Sequence, residues 1–379
     1  EEITRSLDPS NGSVQKLHAE NTNLTILQEN KVSRALIDKD AIYTAEGGSL
    51  TTSGSQVIGQ VVPYAGEYGI SKDPGSFAVY GYRKYFTDKN RNAVLRLSSD
   101  GITEISAYGM KDFFRDKFDE IDLNTANVGT IVGGFDVHTK TYVVSLQNSI
   151  NNNYDTLAFD EGSKGWISRY SYKPDNIFSL KNNFYSTFSG GAENSNANGL
   201  WKHYFGNEYN KLYGQSVTSS VTTVFNPKVS LSKNFLTIGY EGSNGWQVDS
   251  FVSDATGGVN ATPENSDRTL TVKSYDEGQY ILNPANGQPV QPANYQSVFN
   301  TPNPPYTKLR AGFNRKENKY VSNIKNNSLG RPGEVVYGQS MSGIKGMFAT
   351  VTFSADSTTD PTGKKELFAV STNYTESSY

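Results

Sequence analysis

The chain contains no cysteine and only three histidines among its 379 residues. Without cysteine it has no disulfide, no thiolate metal ligand and no thiol nucleophile, so the fold must be held by packing alone. The histidines are His18, His138 and His203, far apart in the sequence and without the spacing of a metal-binding pair. We therefore predict structural or surface roles for all three.

An excess of basic residues and a long apolar segment are also absent. With 35 basic and 38 acidic residues the net charge is −3, which gives no electrostatic basis for specific binding to DNA. No apolar run approaches the roughly 18 residues that span a bilayer, and no signal peptide is recognisable. We expect a soluble chain without a membrane segment. Because it begins with Glu1 rather than Met, we also expect a trimmed chain, a processed product or part of a longer polypeptide, and the sequence leaves these three open.

Catalytic motifs are lacking too. There is no phosphate-binding glycine loop and no Gly-x-Ser-x-Gly nucleophile motif. Asp88, Asn90 and Asn92 imitate the opening of a calcium loop, but Ala93 stands in place of the required glycine and no glutamate closes the loop. Carboxylates are numerous, yet nothing marks a glycosidase pair. We predict no catalytic residue, no cofactor, no metal ligand and no enzymatic activity.

What the sequence does contain favours β-strands. Its 24 Tyr and 19 Phe suit pleated, half-buried surfaces, and its 35 Gly suit tight turns. Residues 24–37 have the pattern of a hairpin. Residues 77–105 alternate short strands with turns, which is typical of a propeller blade or a sheet meander. The predicted fold class is mainly β, with antiparallel sheets.

One segment has helical periodicity instead. Apolar residues recur at intervals of three and four among charged residues, at Met110, Phe113, Phe114, Phe118 and Ile121. This spacing predicts one short amphipathic helix that packs its aromatic face against a sheet.

A hairpin pattern recurs three times. In each case Phe-Asp or Phe-Asn is followed, seven positions after the Phe, by Tyr or Trp and then Val or Ile; the pairs are Phe135 with Tyr142, Phe159 with Trp166, and Phe313 with Tyr320. We expect the Asp or Asn to cap the turn and the aromatics to form a cross-strand pair. Related hairpins are expected at 88–92 and 240–246. The recurrence favours a β-propeller-like body, although any antiparallel protein can reuse such turns.

The composition changes near residue 250. Residues 254–266 and 283–305 are rich in Asn, Pro, Gly and Gln, which predicts long loops or extended arms. Strands are expected again at 308–324, 343–353 and 366–371, the last two paired as a terminal hairpin. We predict a propeller-like body over 1–250 and a loop-rich C-terminal β region over 251–379, and leave open whether the two interleave.

Four stretches resemble one known family. Residues 24–37, 75–114, 166–204 and 343–379, including "NAVLRLSSDGITEISAYGMKDFF" and "WISRYSYKPDNIFSLKNNFYS", are similar to the tail nozzle or muzzle proteins of short-tailed crAss-like phages of Bacteroidetes. Together they make up 130 of the 379 residues. The family supplies no catalytic residue to carry over.

The resemblance implies a structural part of the virion tail, made in the host cytoplasm. It would assemble as a homo-oligomer around the tail axis, contact adaptor, ring and tail-hub proteins, and form a channel or gate through which DNA passes transiently, without specific binding. The arms at 283–305 would then reach neighbouring subunits. The alternative is a receptor-binding or polysaccharide-degrading tail protein, which the absence of a stem-like repeat disfavours. A secreted bacterial sugar-binding propeller is a third reading.

Overall fold

In the computed structural model, the structure describes residues 4–37, 58–121, 129–190, 198–256, 272–275, 312–324, 343–359 and 364–377, and the backbone of two short strand pairs. The chain divides into two compact units, residues 1–206 (unit 1) and residues 207–379 (unit 2). The described strands pair antiparallel and are accompanied by one α-helix, which confirms the predicted fold class. No helix within these ranges is long and apolar enough to cross a membrane.

Unit 1 contains four successive antiparallel sheets in which neighbouring strands follow chain order. Sheet 1 consists of β1 (Val14–Glu20), β2 (Asn23–Gln28), β3 (Val32–Leu36) and β6 (Val61–Pro63), with the separate pair β4 (Ile42–Tyr43) and β5 (Ser49–Leu50) between β3 and β6 in the chain. Sheet 2 consists of β7 (Ala78–Tyr80), β8 (Arg83–Asp88), β9 (Ala93–Ser98) and β10 (Gly101–Glu104). Sheet 3 consists of β11 (Gly129–Asp136), β12 (Thr141–Asn148), β13 (Tyr154–Asp160) and β14 (Gly165–Tyr170). Sheet 4 consists of β15 (Asn176–Leu180), β16 (Asn183–Phe188) and β17 (Gly199–Lys202).

Alternate side chains of sheet 2 enter two different cores. Phe86 and Leu95 pack with Leu27 of sheet 1, whereas Tyr85 and Val94 pack with residues of sheet 3. Since successive residues of a strand point to opposite faces, sheet 2 is covered by sheet 1 on one face and by sheet 3 on the other.

Sheet 3 repeats this arrangement. Tyr142 and Val144 lie in the core shared with sheet 2, while Val143 lies with Ile177 and Phe184 of sheet 4. The four sheets are therefore stacked face to face in the order of the chain. Propeller blades pack in this way, but the described residues do not close a ring, and the propeller stays a prediction.

The helix α1 (Lys111–Asp119) lies against the core between sheets 2 and 3. Phe114 and Phe118 are fully buried, and Met110 and Phe113 pack partly against the same core. The predicted amphipathic helix is confirmed, including the face that it buries.

Unit 2 has two main sheets that share one core. Two short pairs stand apart from them: β18 (Lys211–Leu212) with β19 (Gln215–Ser216), and β23 (Ile281–Leu282) with β24 (Pro289–Val290). The first main sheet has the order β20 (Ser219–Phe225), β28 (Ala349–Ala355), β22 (Gln247–Ser253). In the second, β21 (Lys233–Gly242) is central, with β29 (Leu367–Glu376) on one side and β26 (Lys319–Asn323) and β27 (Ile344–Gly346) on the other, and β25 (Asn314–Lys316) pairs with β26. Phe235 and Ile238 of β21 meet Phe251 of β22 and Phe353 of β28 in this core.

Two predicted hairpins of unit 2 are wrong. The strands at 343–353 and 366–371 do not pair with each other, because β28 pairs with β20 and β22 while β29 pairs with β21. The turn at Asn244-Gly245 joins β21 to β22, which belong to different sheets, and is not a hairpin. In both cases adjacent strands contribute to opposite sides of one core instead of pairing.

The boundary between the units also differs from the one expected near residue 250. The division lies at 206/207 because β20, β21 and β22 pair with strands from beyond residue 311. Strands from before and after position 250 therefore pair with each other within unit 2, a point that the sequence left open. The predicted loops at 257–266 and 283–305 lie outside the described residues apart from β24, and so does 308–311.

The predicted cross-strand aromatic pair forms in two of the three repeated hairpins. Phe135 is paired with Tyr142, and Phe159 with Trp166, each across a four-residue turn. In the third, Lys316 pairs with Lys319 across a two-residue turn, so Phe313 is not opposite Tyr320. Both of these aromatics pack on Tyr240 of β21 instead, with ring centroids at 4.9 Å and 4.7 Å.

Candidate functional site

The three histidines occupy separate environments in unit 1. His18 lies in β1 beside the ring of Phe77, with 5.4 Å between centroids, and His138 lies in the turn after β11, 4.8 Å from Tyr204. His203 follows β17. No group of three or more metal-ligating side chains occurs in the described part of the chain.

Within the described ranges, His203 makes a contact that resembles part of a catalytic serine–histidine pair. Its Nε2 lies 2.7 Å from the Oγ of Ser186 in β16. Burial lowers the pKa of His203 to about 4, so the ring is neutral at pH 7. Ser186 is fully buried, and the His203 ring packs against Tyr172 and Phe184, so a substrate carbonyl has no approach to the pair in this conformation. The contact joins the end of β17 to β16.

The segment that imitates a calcium loop is the turn between β8 and β9. The buried Asp88 carboxylate accepts hydrogen bonds from the Gly69 amide at 2.8 Å and the Ser71 hydroxyl at 2.9 Å, and it pairs with Arg91 at 3.2 Å. Its oxygens are thus occupied by donors. The carboxylate fastens this turn to the segment that precedes sheet 2, as expected for a structural turn.

Asp136, the first predicted turn cap, serves two elements. Its carboxylate accepts from the His138 amide and the Thr139 hydroxyl, both at 2.9 Å, and also from the hydroxyl of Tyr204. Burial and the neighbouring carboxylate raise the pKa of Tyr204. The cap therefore ties the residues after sheet 4 to sheet 3. Sequence reasoning found the cap but missed Ser186 and Tyr204, because their contacts with His203 and Asp136 join residues that are 17 and 68 positions apart in the chain.

Two of the edge strands of unit 2, β20 and β29, carry few charged residues. Among the described strands, β20 pairs only with β28, and β29 only with β21. Seven residues of β20 carry no charge. The ten residues of β29 carry one, Glu376, which pairs with Lys228. Exposed edges are normally protected by lysine, proline or bulges. β20 has none of these and is suited to pairing with another chain, whereas β29 has a bulge at Phe368 near its start.

Both edges lie at the same flank of unit 2. At the other flank β22 meets β27, because the Ser253 hydroxyl donates to the Lys345 carbonyl at 2.6 Å and Asp254 accepts from the Met347 amide at 2.7 Å. In the first sheet β20 lies at the end away from β22, and in the second sheet β29 lies on the side of β21 away from β27. Both strands are therefore at the flank opposite to the contact between β22 and β27. Val224 is 61 % exposed and Phe368 is 74 % exposed on these strands, so the flank combines unpaired backbone with apolar side chains. We call it the open flank.

Comparison with known protein families gives a match to part of unit 2. Residues 207–327 match the family model of the crassvirus muzzle protein C-terminal domain. The match begins at the first residue of unit 2. No curated protein matches the chain. The resemblance to crAss-like phage muzzle proteins, which the sequence suggested, is confirmed by this match.

Proposed function

We propose, from the premise that this chain carries a muzzle C-terminal domain and is a structural component of a phage tail, that it forms part of the wall or gate through which the genome leaves the virion. The observation that carries the proposal is the family match over 207–327. The face-to-face stacking of four sheets in unit 1 supports it, because a conduit needs a stiff scaffold rather than mobile lids.

We further propose that unit 2 makes the contacts between subunits. One side of β20 and one side of β29 have no partner strand among the described residues, and a strand added by a neighbour would bind the backbone donors and acceptors there. Copies of this chain around the tail axis, together with adaptor, ring or hub proteins, are the proposed partners. We assign the protein no catalytic role, and place its synthesis in the host cytoplasm and its final location in the tail.

Imaging of intact virions tests this proposal. A labelled antibody against the chain should mark the tail tip, and averaged images should show a closed ring of copies on the axis. Virions assembled without the protein should retain packaged DNA poorly or fail to release it. Peripheral trimers on stalks, with normal DNA retention in the absence of the protein, would instead identify a receptor binder.

A further inference from the structure

One end of unit 1 collects the turns of several sheets. The first strands of sheets 2, 3 and 4 run in the same direction: Tyr80 stacks on Phe135 at 4.1 Å, and the Ser179 hydroxyl donates to the Phe135 carbonyl at 2.5 Å. Each of these residues lies at the end of its strand. The turns that follow β7, β11 and β15 are therefore neighbours, and antiparallel order brings the turn after β13 and the end of β17 to the same side.

Lysines are concentrated in these turns. Lys140 follows β11, Lys164 follows β13, Lys181 follows β15, and Lys202 ends β17. All four are exposed, and none forms an ion pair with another described residue. We call this group the lysine end.

The acidic groups nearby are already engaged. Asp136 and Asp160 accept hydrogen bonds from the amides of their own turns, and Asp160 does so from Ser163 at 2.7 Å. Glu161 and Asp100 share Arg96, at 3.2 Å and 2.6 Å. These four carboxylates keep their negative charge, but none of them lies within ion-pair distance of a lysine of the lysine end. The Lys202 ammonium lies over the Phe205 ring at 5.3 Å. The four ammonium groups are therefore not paired with a described carboxylate.

Backbone conformation gives an independent reason to assign these lysines a function. Lys140, Lys164 and Lys181 have left-handed φ values of 57°, 51° and 48°. Asn or Gly adopts this conformation with less strain than lysine does. Lys140 and Lys164 end four-residue turns, and Lys181 begins a two-residue turn. Three turns at this end therefore carry the less stable residue in a left-handed conformation, which points to a use for the charge itself.

The use of lysine rather than arginine indicates the chemical class of the ligand. Protein interfaces are depleted in lysine and enriched in arginine, whereas lysine binds phosphate as a point charge without demanding one geometry. We propose that the lysine end contacts the phosphate backbone of DNA, weakly and without regard to sequence. This inference rests on the proposed function as a genome conduit, and it identifies the residues that meet the passing polymer.

A weak contact of this kind is compatible with release. Each phosphate neutralised by a lysine contributes a slope of about −0.9 to the dependence of log K on log salt, so a few contacts hold DNA only at low ionic strength. The four lysines give a contact that is limited in strength and independent of base identity.

Fluorescence anisotropy with a labelled DNA duplex of mixed sequence tests the proposal on the full chain. The triple variant Lys140→Asn, Lys164→Asn, Lys181→Asn should bind at least tenfold more weakly at 50 mM salt, and its salt slope should be smaller by about 2 to 3. Its thermal midpoint should be equal to or above that of the wild type, since Asn relieves the left-handed strain.

The matched control is Lys72→Asn, Lys111→Asn, Lys316→Asn, which removes the same charge from exposed positions outside these turns. It should bind as the wild type does. Equal loss in both triple variants, or no binding by the wild type, would overturn the inference. Competition by polyglutamate at equal charge would also overturn it, by indicating an acidic protein as the partner.

The outcome can be separated from that of the proposed function. Antibody labelling of the virion reports tail location whatever the anisotropy shows. A protein located at the tail tip that does not bind DNA contradicts only the lysine end, whereas a DNA-binding protein absent from the tail contradicts the proposed conduit.

Discussion

Two adjacent glycines in β11 show how tightly the sheets of unit 1 are stacked. A Cβ on Gly133 would lie 2.2 Å from the Ser76 carbonyl oxygen, and one on Gly134 would lie 2.4 Å from Ile177. The first contact is with backbone on the sheet 2 side, and the second is with a side chain of sheet 4. The absence of side chains here allows β11 to lie close to elements on both sides.

Gly133→Ala should therefore destabilise unit 1 by about 3 kcal/mol, at the upper end of the usual cost of overpacking, because the obstacle is backbone. Urea denaturation followed by circular dichroism measures it. Gly165→Ala in β14 is the control, since its Cβ would have no neighbour closer than 3.9 Å. An equal effect of both substitutions would show that the close approach is not the cause.

His203 should make stability depend on pH. Its folded-state pKa is about 4, against roughly 6.5 in an unfolded chain. Between these pH values His203 binds a proton in the unfolded state but not in the folded state. The free energy of unfolding therefore falls as the pH drops from 6.5 towards 4, and this contribution levels off below pH 4. The full loss is on the order of 3 kcal/mol.

Urea midpoints at pH 7 and pH 5 test this dependence. His203→Gln should lower stability at pH 7, because the contact with Ser186 changes, but should flatten the decline between the two pH values. His138→Gln, at an exposed turn position, should leave the decline as it is in the wild type. A decline that is just as steep in His203→Gln would exclude His203 as its source.

Among the elements, the hairpin of β13 and β14 closes the core beside α1. Trp166 packs on Phe114 and Phe159, and its Nε1 donates to the Ile105 carbonyl at 3.1 Å. Trp166→Ala should cost about 3 kcal/mol, at the low end for removing a large aromatic because the residue is only partly buried. It should also expose α1 to proteolysis. Ile167→Ala, at an exposed neighbour, should change little.

The sequence predicts elements well where pairing is local. Asp136 and Asp160 cap four-residue turns, and the aromatic spacing then fixes the register of both hairpins. The same spacing at Phe313 gave a wrong prediction, because a two-residue turn shifts the register of that hairpin. Both of its aromatics pack instead on Tyr240, more than seventy positions earlier in the chain. Turn chemistry is readable from a few residues, whereas the choice of a distant partner is not.

For the candidate site the limits are similar. The exposed lysines of the turns are visible in the sequence, but their common position depends on strands β7, β11 and β15 running in the same direction. The open flank depends on which strands lie at sheet edges, and that follows from pairings across more than a hundred residues. The low charge of β20 and β29 can be read from the sequence, but their positions at sheet edges cannot.

For the whole molecule, assembly should depend on the open flank. Val224→Lys places a charge on the free edge of β20, where Val224 is exposed and not part of the core. We expect the monomer to keep its circular dichroism spectrum and thermal midpoint while it loses self-association or incorporation into tails. Light scattering and virion composition measure this.

Val229→Lys is the control, because Val229 is also exposed but lies between β20 and β21 rather than on a strand. Unchanged assembly in Val224→Lys, with the chain still folded, would show that β20 does not pair with a neighbour. Loss of assembly in both variants would indicate a general effect of added charge.

Paired strands are close together in the sequence of unit 1 and far apart in that of unit 2, and this difference affects how each unit can fold during translation. In unit 1 each sheet is complete within a short stretch of chain, so it can form soon after it leaves the ribosome. In unit 2, β20 has no partner among the described strands until β28 has been synthesised, more than a hundred codons later, and β21 gains its partner on one side only with β29. A ribosome stalled near codon 340 would therefore carry a structured N-terminal half and a C-terminal half in which β20 and one edge of β21 are still unpaired. The synthesis of the last strands is thus the step that completes the native pairing of unit 2.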